Sequence, residues 1–135
     1  MTGVHVLMID DSEDDAVLFA TVFAQAKAGF EFAYTLDADE GIRRLTSEGS
    51  RIRLVLLDVK LTGRDGKEVL AQVRRTPSIR HLPVVVLSSS DAPADVRESY
   101  RLGANAYVQK PADLDGCRRL VTVLSDFWLR TASMP

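Results

Sequence analysis

Short apolar runs alternate with segments of helical periodicity along the whole chain, and this alternation limits the folds that the sequence can adopt. The apolar runs predict strands at residues 4–9, 30–35, 54–57, 84–87 and 106–109. The intervening segments predict helices at 13–27, about 38–49, 66–75, 93–103 and 113 to about 130. Strand–helix units in succession predict an α/β domain, with a parallel sheet, helices on both faces and right-handed crossovers.

Local signals indicate where the helices begin and end. Ser12 and Asp37 are N-cap candidates for the first two helices. Pro93 suits the first turn of the fourth helix, and Gly103 suits its C-terminal end. These signals support the alternating pattern.

Charged side chains stand directly after three of the predicted strands. Asp10 and Asp11 follow the first strand, Asp58 follows the third, and Lys110 follows the fifth. Because the carboxyl ends of parallel strands share one edge of a sheet, where ligands bind in such folds, we expect these four side chains to meet. The sequence therefore predicts a functional site at this edge.

The residue types at this edge indicate phosphoryl chemistry. An oxygen-only acidic cluster without His or Cys favours Mg²⁺ or Mn²⁺ over Zn²⁺. An aspartate can attack phosphorus to form an aspartyl phosphate, while a metal ion and a lysine stabilise the developing negative charge. We assign Asp58 as the nucleophile, since it stands alone while Asp10 and Asp11 form a pair, and Lys110 as the cationic group. The pattern predicts Mg²⁺-dependent phosphorylation of an aspartate.

Each residue also has a purely structural interpretation. Asp10 and Asp11 could cap the first helix, and Asp58 could begin a turn. Their joint position at matching strand ends favours the site.

Two further polar residues lie near the same edge. Ser88 ends the fourth strand and could bond a phosphate oxygen, or it could belong to a polar loop in which Asp91 caps the next helix. Tyr107 on the fifth strand is either a functional neighbour of Ser88 or a half-buried aromatic residue.

Composition excludes several classes of function. A net charge of −2 over 135 residues, with scattered arginine pairs, does not support a nucleic-acid surface. Cys117 is the only cysteine, which excludes an intrachain disulfide. No apolar stretch approaches the roughly 20 residues of a membrane span, and the N-terminus lacks a signal-peptide pattern. We expect one domain over residues 1–135, located in the cytoplasm.

The ordered set of motifs resembles the receiver domain of two-component response regulators, over essentially the whole chain. The parts that carry the resemblance are Asp10-Asp11, Leu-Leu-Asp58 with Gly63 and Asp65-Gly66 beyond it, Ser88, Tyr107 and Lys110-Pro111. No single part is specific, but the ordered set at these spacings is. The resemblance implies a flavodoxin-like, doubly wound (βα)5 fold with strand order 2-1-3-4-5.

The resemblance also implies roles for these residues. Asp58 would accept a phosphoryl group from a histidine kinase. Mg²⁺ would be held by Asp11 directly, by Asp10 through water, by Asp58, and by the backbone carbonyl of Lys60. Lys110 would bridge to the phosphoryl group, and the Lys110–Pro111 peptide would be cis.

A switch is implied as well. Ser88 would move toward the phosphate, Tyr107 would turn inward, and the face formed by the fourth helix, fifth strand and fifth helix would change shape. The chemistry would be largely self-catalysed, so the protein would not be an enzyme in the ordinary sense.

Two positions depart from the common pattern of the family. Thr62 stands where many members have proline, which predicts a less rigid loop. Lys60 places a cation at a position that tunes dephosphorylation in this family. Its side chain could shield the phosphoryl group or pair with an acidic neighbour.

The predicted last helix has an unusually wide apolar surface. One stripe comprises Leu114, Cys117, Val121, Leu124 and Trp128, and a second comprises Leu120, Val123 and Phe127. Together they span about 180°, wider than the roughly 100° that a surface helix needs. The excess is either a partner surface or a contact with the domain itself. We favour a two-fold homodimer through the fourth helix, fifth strand and fifth helix, with Leu120, Val123, Phe127 and Trp128 at the interface.

The C-terminal sequence 126–131, DFWLRT, and the segment 66–70, GKEVL, resemble single-domain regulators that partner bacterial phytochrome histidine kinases. This resemblance implies such a kinase as partner and output through protein contact. The alternatives are an unphosphorylated binding module, a phosphorelay intermediate and an aspartate-nucleophile phosphatase. The phosphatase is disfavoured because those enzymes have an Asp-x-Asp motif at the nucleophile, whereas this chain has Asp58-Val59-Lys60.

Overall fold

The computed structural model describes residues 4–26, 29–61 and 63–135. Its strands are β1 (Val6–Ile9), β2 (Phe32–Thr35), β3 (Leu54–Leu57), β4 (Val84–Ser88) and β5 (Ala106–Gln109). Its α-helices are α1 (Glu13–Gln25), α2 (Ala38–Glu48), α3 (Gly66–Arg75), α4 (Pro93–Arg101) and α5 (Leu114–Leu124), followed by a π-helical segment, Ser125–Thr131. Strands and helices alternate as predicted. The predicted end of α1 at Lys27 lies outside the described residues.

The five strands form one parallel sheet in the order β2-β1-β3-β4-β5, which confirms the predicted topology. Strands β1, β3 and β4 are buried along their whole length. They are nearly continuous aliphatic runs because helices cover both faces of the sheet.

Alternate residues of the central strands face two separate hydrophobic cores, since successive side chains in a strand point to opposite faces. Leu7, Ile9, Val55 and Leu57 pack into the core that contains Leu45 of α2 and Val69, Leu70 and Val73 of α3. Val6, Met8, Leu54 and Leu56 pack into the core that contains Phe19 and Phe23 of α1 and Cys117 and Val121 of α5. The sheet is therefore held between two helical layers.

The N-caps of α1 and α2 are the predicted ones. The Asp15 N–H donates to Ser12 Oγ at 3.3 Å, and the Glu40 N–H donates to Asp37 Oδ2 at 3.1 Å. The alternative cap at Asp91 is wrong, because α4 begins after Ala92 and Ser90 Oγ accepts the Ala92 N–H at 3.3 Å. Gly103 follows the end of α4 with φ 108°, a left-handed conformation that favours glycine.

The last helix departs from the prediction of continuous α-helix to about Arg130. The backbone widens into i→i+5 hydrogen bonding after Leu124, as when the Ala132 N–H donates to Phe127 O at 2.7 Å. The wider turn advances the buried face by one residue, so Leu129 is in the core and Trp128 is only half-buried. Leu114, at the start of the predicted stripe, is 43% exposed.

Among the described residues, no helix combines the length and apolar character needed to cross a bilayer.

Candidate functional site

Strand register brings the predicted site residues to one edge of the sheet. Ile9 of β1 is paired with Leu57 of β3, so Asp10 and Asp58 leave the sheet side by side. The Asp58 N–H still donates to Ile9 O at 3.0 Å. On the other side, the Lys110 N–H donates to Ser88 O at 2.8 Å. The backbone hydrogen bonds of the sheet therefore fix the positions of Asp10, Asp58 and Lys110 independently of side-chain contacts.

Three carboxylates converge at this edge. Asp10, Asp11 and Asp58 each offer an oxygen, and these atoms lie within 4.8 Å of one another. Asp10 is wholly buried and Asp58 is 5% exposed, whereas Asp11 is half-buried. The Ser12 N–H donates to Asp10 Oδ1 and the Lys60 N–H donates to Asp58 Oδ1, both at 2.9 Å. One oxygen of each buried carboxylate is thus fixed by a backbone amide.

The ammonium group of Lys110 binds the remaining oxygens. Its Nζ lies 2.7 Å from Asp10 Oδ2, 2.9 Å from Asp58 Oδ2 and 2.8 Å from Asp15 Oδ2. Burial lowers the pKa of Lys110, but the interactions of its ammonium group with the three carboxylates outweigh this effect and raise the pKa above that of a free lysine. Lys110 is therefore a permanent cation at the site.

The donor set fits Mg²⁺, which prefers oxygen ligands. Asp10 Oδ2 is fully buried and ion-paired with Lys110, yet its geometry gives no directed hydrogen bond. Burial raises the pKa of the Asp10 carboxyl, and the interactions with Lys110 and Ser12 reverse this only in part. A carboxylate in this state is stabilised by a further cation, as a metal ligand would be.

Replacing Asp10 by Asn is expected to stabilise the metal-free fold at pH 7. Because its pKa is raised in the folded state, ionised Asp10 opposes folding at neutral pH, and this cost disappears as pH falls below the raised pKa. Urea unfolding at pH 7 measures the change, and Mg²⁺ should stabilise the wild type more than the variant. Asp14→Asn, at an exposed position of α1, is the control. A less stable variant at pH 7 would contradict the expectation.

Ser88 and Tyr107 are joined through the β4–α4 loop. The buried Ser88 Oγ accepts the Ser90 N–H at 3.2 Å. The half-buried Tyr107 donates its hydroxyl to Ser90 O at 2.7 Å. The two residues predicted to form the switch therefore share one neighbour, Ser90.

The Lys60 side chain pairs with an acidic neighbour, which was one of its two predicted roles. Lys60 Nζ lies 3.1 Å from Asp95 Oδ2, in the first turn of α4. Lys67 of α3 binds the other oxygen of Asp95 at 2.7 Å. Hydrogen bonds from Lys67, Ser90 and Lys60 hold the pKa of Asp95 well below its usual range.

Gly66 allows α3 to begin against the backbone of Asp58 and Val59. A Cβ there would lie 2.2 Å from Asp58 O and 2.4 Å from Val59 Cα, and neither atom can move without shifting the strand end. The Gly66 N–H donates to Val59 O at 3.1 Å. Glycine at this position therefore fixes the loop that carries Asp58.

Replacing Gly66 by Ala is expected to cost about 2 kcal/mol of stability and to slow phosphorylation, because the added methyl group displaces the Asp58 backbone. Gly63→Ala is the matched control. Among the described residues other than its chain neighbours, no atom lies within 4 Å of a Cβ at this position, but its φ of 80° is strained for alanine. The control should cost about 1 kcal/mol and leave the phosphorylation rate nearly unchanged. Urea unfolding and a phosphorylation time course measure both. Equal effects at the two glycines would refute the steric explanation.

Other predicted residues have mixed outcomes. The cis peptide at Lys110–Pro111 is wrong, since no cis bond occurs in the described chain and trans is the lower-energy isomer of most X–Pro bonds. Thr62 lies outside the described residues. Val123 and Phe127 are 62% and 51% exposed, whereas Leu120 and Trp128 are half-buried against the core that faces α1.

Sequence reasoning missed three charged residues of this region. Asp15 in the first turn of α1 was given no role in the site, yet its side chain binds Lys110. Lys67 and Asp95 lie on different helices and gave no local signal, although each is in the first turn of a helix that follows a strand of the sheet. The first turn of a helix that follows a parallel strand lies at the carboxyl edge of the sheet, and this placement could have indicated both residues.

A parallel sheet in the order 2-1-3-4-5, with an acidic cluster and a lysine at its carboxyl edge, defines a phosphoacceptor domain of the flavodoxin-like class. The family model "Response regulator receiver domain" matches residues 6–122, and the chain belongs to this family. Proteins of this family are phosphorylated on an aspartate by histidine kinases in a Mg²⁺-dependent reaction.

Some relatives are similar to this chain over nearly their whole length. The response regulator Rcp1 of Synechocystis sp. is 33% identical over 135 residues, covering 96% of this chain and 92% of Rcp1. The Mn²⁺-bound crystal structure of Rcp1 has a TM-score of 0.85 at 32% identity, covering 98% of this chain and 99% of that one. The phosphorylated cyanobacterial phytochrome response regulator RcpA has a TM-score of 0.88 at 34% identity, covering 99% of both chains.

Proposed function

We propose that Asp58 is the phosphoryl acceptor of this receiver domain and that Lys110 is the cation that stabilises the phosphoryl group. The observation that carries this proposal is the placement of Lys110 Nζ at 2.9 Å from Asp58 Oδ2, within the cluster formed with Asp10 and Asp15. Asp10 also has Lys110 at one oxygen and a backbone amide at the other, but it is followed directly by Asp11, whereas Asp58 is a lone acidic residue at its strand end.

In the proposed reaction an Asp58 carboxylate oxygen attacks the phosphorus of a phosphohistidine. The new O–P bond forms as the P–N bond breaks, and the imidazole of the kinase leaves. The Lys60 N–H fixes the orientation of the carboxylate, and Lys110 neutralises charge on the phosphoryl oxygens. Asp11, Asp58 and the Lys60 carbonyl, with Asp10 through water, would hold Mg²⁺, and the bound ion would supply additional positive charge at the phosphoryl group.

The direct test is intact mass spectrometry after incubation with a small phosphodonor such as phosphoramidate. We expect the mass of one phosphoryl group to be added in the presence of Mg²⁺ and no addition in the presence of a chelator. Mg²⁺ binding without any phosphorylation would instead favour a binding module of receiver fold.

We propose a bacterial phytochrome as the histidine kinase. RcpA is described as a phytochrome response regulator, and a regulator in red light signalling of R. palustris has a TM-score of 0.81 at 28% identity over 98% of this chain and 99% of that chain. Phosphotransfer from a purified, autophosphorylated bacterial phytochrome should be faster than transfer from a histidine kinase of another class. Equal rates would remove this part of the proposal.

Ser88, Tyr107 and Pro111 form the proposed switch, which changes the face of α4, β5 and α5 on phosphorylation. Tyr107 supports this, because the hydrogen bond from its hydroxyl to Ser90 O can be exchanged for another as the loop moves. The single domain over residues 1–135 and the cytoplasmic location stay predictions.

The proposed output is a homodimer through this face. Tyr100, Val123 and Phe127 are large apolar residues that are 49%, 62% and 51% exposed. The rings of Phe127 and Trp128 pack edge to face, with 4.9 Å between their centroids. A second copy would bury the same residues in an isologous contact. These exposures support an interface that includes Val123 and Phe127, with half-buried Leu120 and Trp128 behind them.

Replacing Phe127 by Asp is expected to convert such a dimer to monomer, because a buried unpaired carboxylate opposes association. Size exclusion with light scattering measures the mass of the wild type and the variant, with and without phosphorylation. Ser50→Asp, at an exposed position after α2 on the other side of the sheet, is the control and should not change the mass. A wild type that stays monomeric in both states would refute the dimer.

A further inference from the structure

The carboxylate of Asp95 is a contact point between two loops at the carboxyl edge of the sheet. It is 7% exposed in the first turn of α4. Its Oδ1 accepts from Lys67 Nζ at 2.7 Å, and its Oδ2 accepts from Ser90 Oγ at 2.5 Å and lies 3.1 Å from Lys60 Nζ. The β3–α3 segment and the β4–α4 loop are therefore held together by one carboxylate.

The same cluster reaches both sides of the phosphorylation site. Lys60 is two residues beyond Asp58, and its N–H donates to Asp58 Oδ1. Ser90 accepts the Tyr107 hydroxyl at its carbonyl and donates its N–H to Ser88 Oγ. Movement at Asp95 is thus linked through Lys60 to the acceptor, and through Ser90 to Ser88 and Tyr107.

We propose that Asp95 is a positioning residue that holds the Lys60 ammonium group away from the phosphoryl group on Asp58 and thereby shortens the lifetime of the phosphorylated state. This inference rests on Asp58 being the acceptor. It adds a residue of α4, distant in sequence, to the control of dephosphorylation.

The physical basis is competition between two anions for one cation. The Lys60 side chain is 57% exposed and lies on a flexible four-carbon stem, so it is free to reorient once Asp95 releases it. A phosphoryl group on Asp58, two residues before Lys60 in the chain, carries close to two negative charges and competes with Asp95 for the ammonium group. A freed ammonium group pairs with its oxygens and occupies part of the path of incoming water.

Dephosphorylation is hydrolysis of the acyl phosphate. A water oxygen attacks phosphorus and the bond from phosphorus to the Asp58 oxygen breaks. The two protons of the water stay with the inorganic phosphate that leaves, and the Asp58 carboxylate returns. Pairing by Lys60 stabilises the acyl phosphate and hinders the attack. Hence Asp95→Asn, which keeps the shape but removes the charge, should slow the loss of phosphate.

The test is a double-mutant cycle on the rate of phosphate loss after removal of the phosphodonor. In Asp95→Asn we expect the phosphorylated state to live about two- to fivefold longer, the size set by a partly exposed ion pair. Lys60→Met retains the backbone N–H and carbonyl that serve the site and removes only the ammonium group. In this variant, and in the double variant, the lifetime should stay within about twofold of the wild type, since no ammonium group is present to be released.

Lys67→Met is the matched control on the same carboxylate. This change removes one lysine from Asp95 but leaves Lys60 bound, so the lifetime of the phosphorylated state should not change. If the cluster had only a structural role, Lys67→Met would have the same effect as Asp95→Asn. An unchanged lifetime in Asp95→Asn, or an effect that persists in the Lys60→Met background, would overturn the inference.

The remaining outcomes separate this inference from the proposed function. If Asp95→Asn fails to fold, a change of more than about twofold in Lys60→Met alone refutes the inference, because Lys60 would already act on the phosphoryl group. If the wild type is not phosphorylated on Asp58, the proposed function fails. If the wild type is phosphorylated on Asp58 and all variants of the cycle lose phosphate at the same rate, only the role of Asp95 fails.

Discussion

Replacing Asp58 by Asn is expected to abolish Mg²⁺-dependent phosphorylation of the protein. An amide is not a nucleophile toward phosphorus, and the change also removes one of the oxygens proposed to bind the metal. The fold should persist, because the amide oxygen can still accept the Lys60 N–H, and loss of one of three clustered carboxylates relieves repulsion. Intact mass after incubation with phosphoramidate and Mg²⁺ measures the loss.

The control is the same substitution at an exposed aspartate of the same sheet edge. Asp91 follows β4 and is solvent-exposed, so Asp91→Asn should take up one phosphoryl group at the wild-type rate. Circular dichroism of Asp58→Asn should show an intact fold. Phosphorylation that persists in Asp58→Asn would assign the acceptor to another residue.

Replacing Arg74 by Met is expected to cost about 3 kcal/mol of unfolding free energy, the largest stability effect that we predict. The Arg74 guanidinium donates to Gly103 O at 2.9 and 2.7 Å, to Arg80 O at 2.9 Å, to Leu82 O at 2.7 Å and to Asn105 Oδ1 at 2.9 Å. Burial lowers the pKa of Arg74. Methionine retains the apolar stem but leaves all these acceptors without their donor.

Arg75 is the matched control, since it is the next residue of the same helix and is exposed. Arg75→Met should change stability by less than about 0.5 kcal/mol. Urea denaturation monitored by the fluorescence of Trp128 measures both variants. A loss below about 1 kcal/mol in Arg74→Met would show that water replaces the guanidinium at these carbonyls.

The elements of the fold were largely predictable because their signals are local. Aliphatic runs such as 54–57 predict strands that are buried on both faces, as the structure confirms. Ser12 and Asp37 predict helix N-caps, and both cap their helices in the structure. The end of the chain was not predictable in the same way. An apolar stripe at α-helical spacing cannot reveal a change to π-helical hydrogen bonding after Leu124, which moved Leu129 into the core in place of Trp128.

The sequence by itself determined that strands alternate with helices and that Asp10, Asp11, Asp58 and Lys110 meet at one edge, because parallel strands align their carboxyl ends whatever their side chains. Tertiary structure alone decided which charges touch. Asp15 binds Lys110 across 95 positions of the chain, and Asp95 binds Lys67 across 28. Such contacts depend on how helices pack over the sheet and on distances of a few ångströms. Side-chain periodicity reports which face of a helix is buried, but not which distant residue it meets.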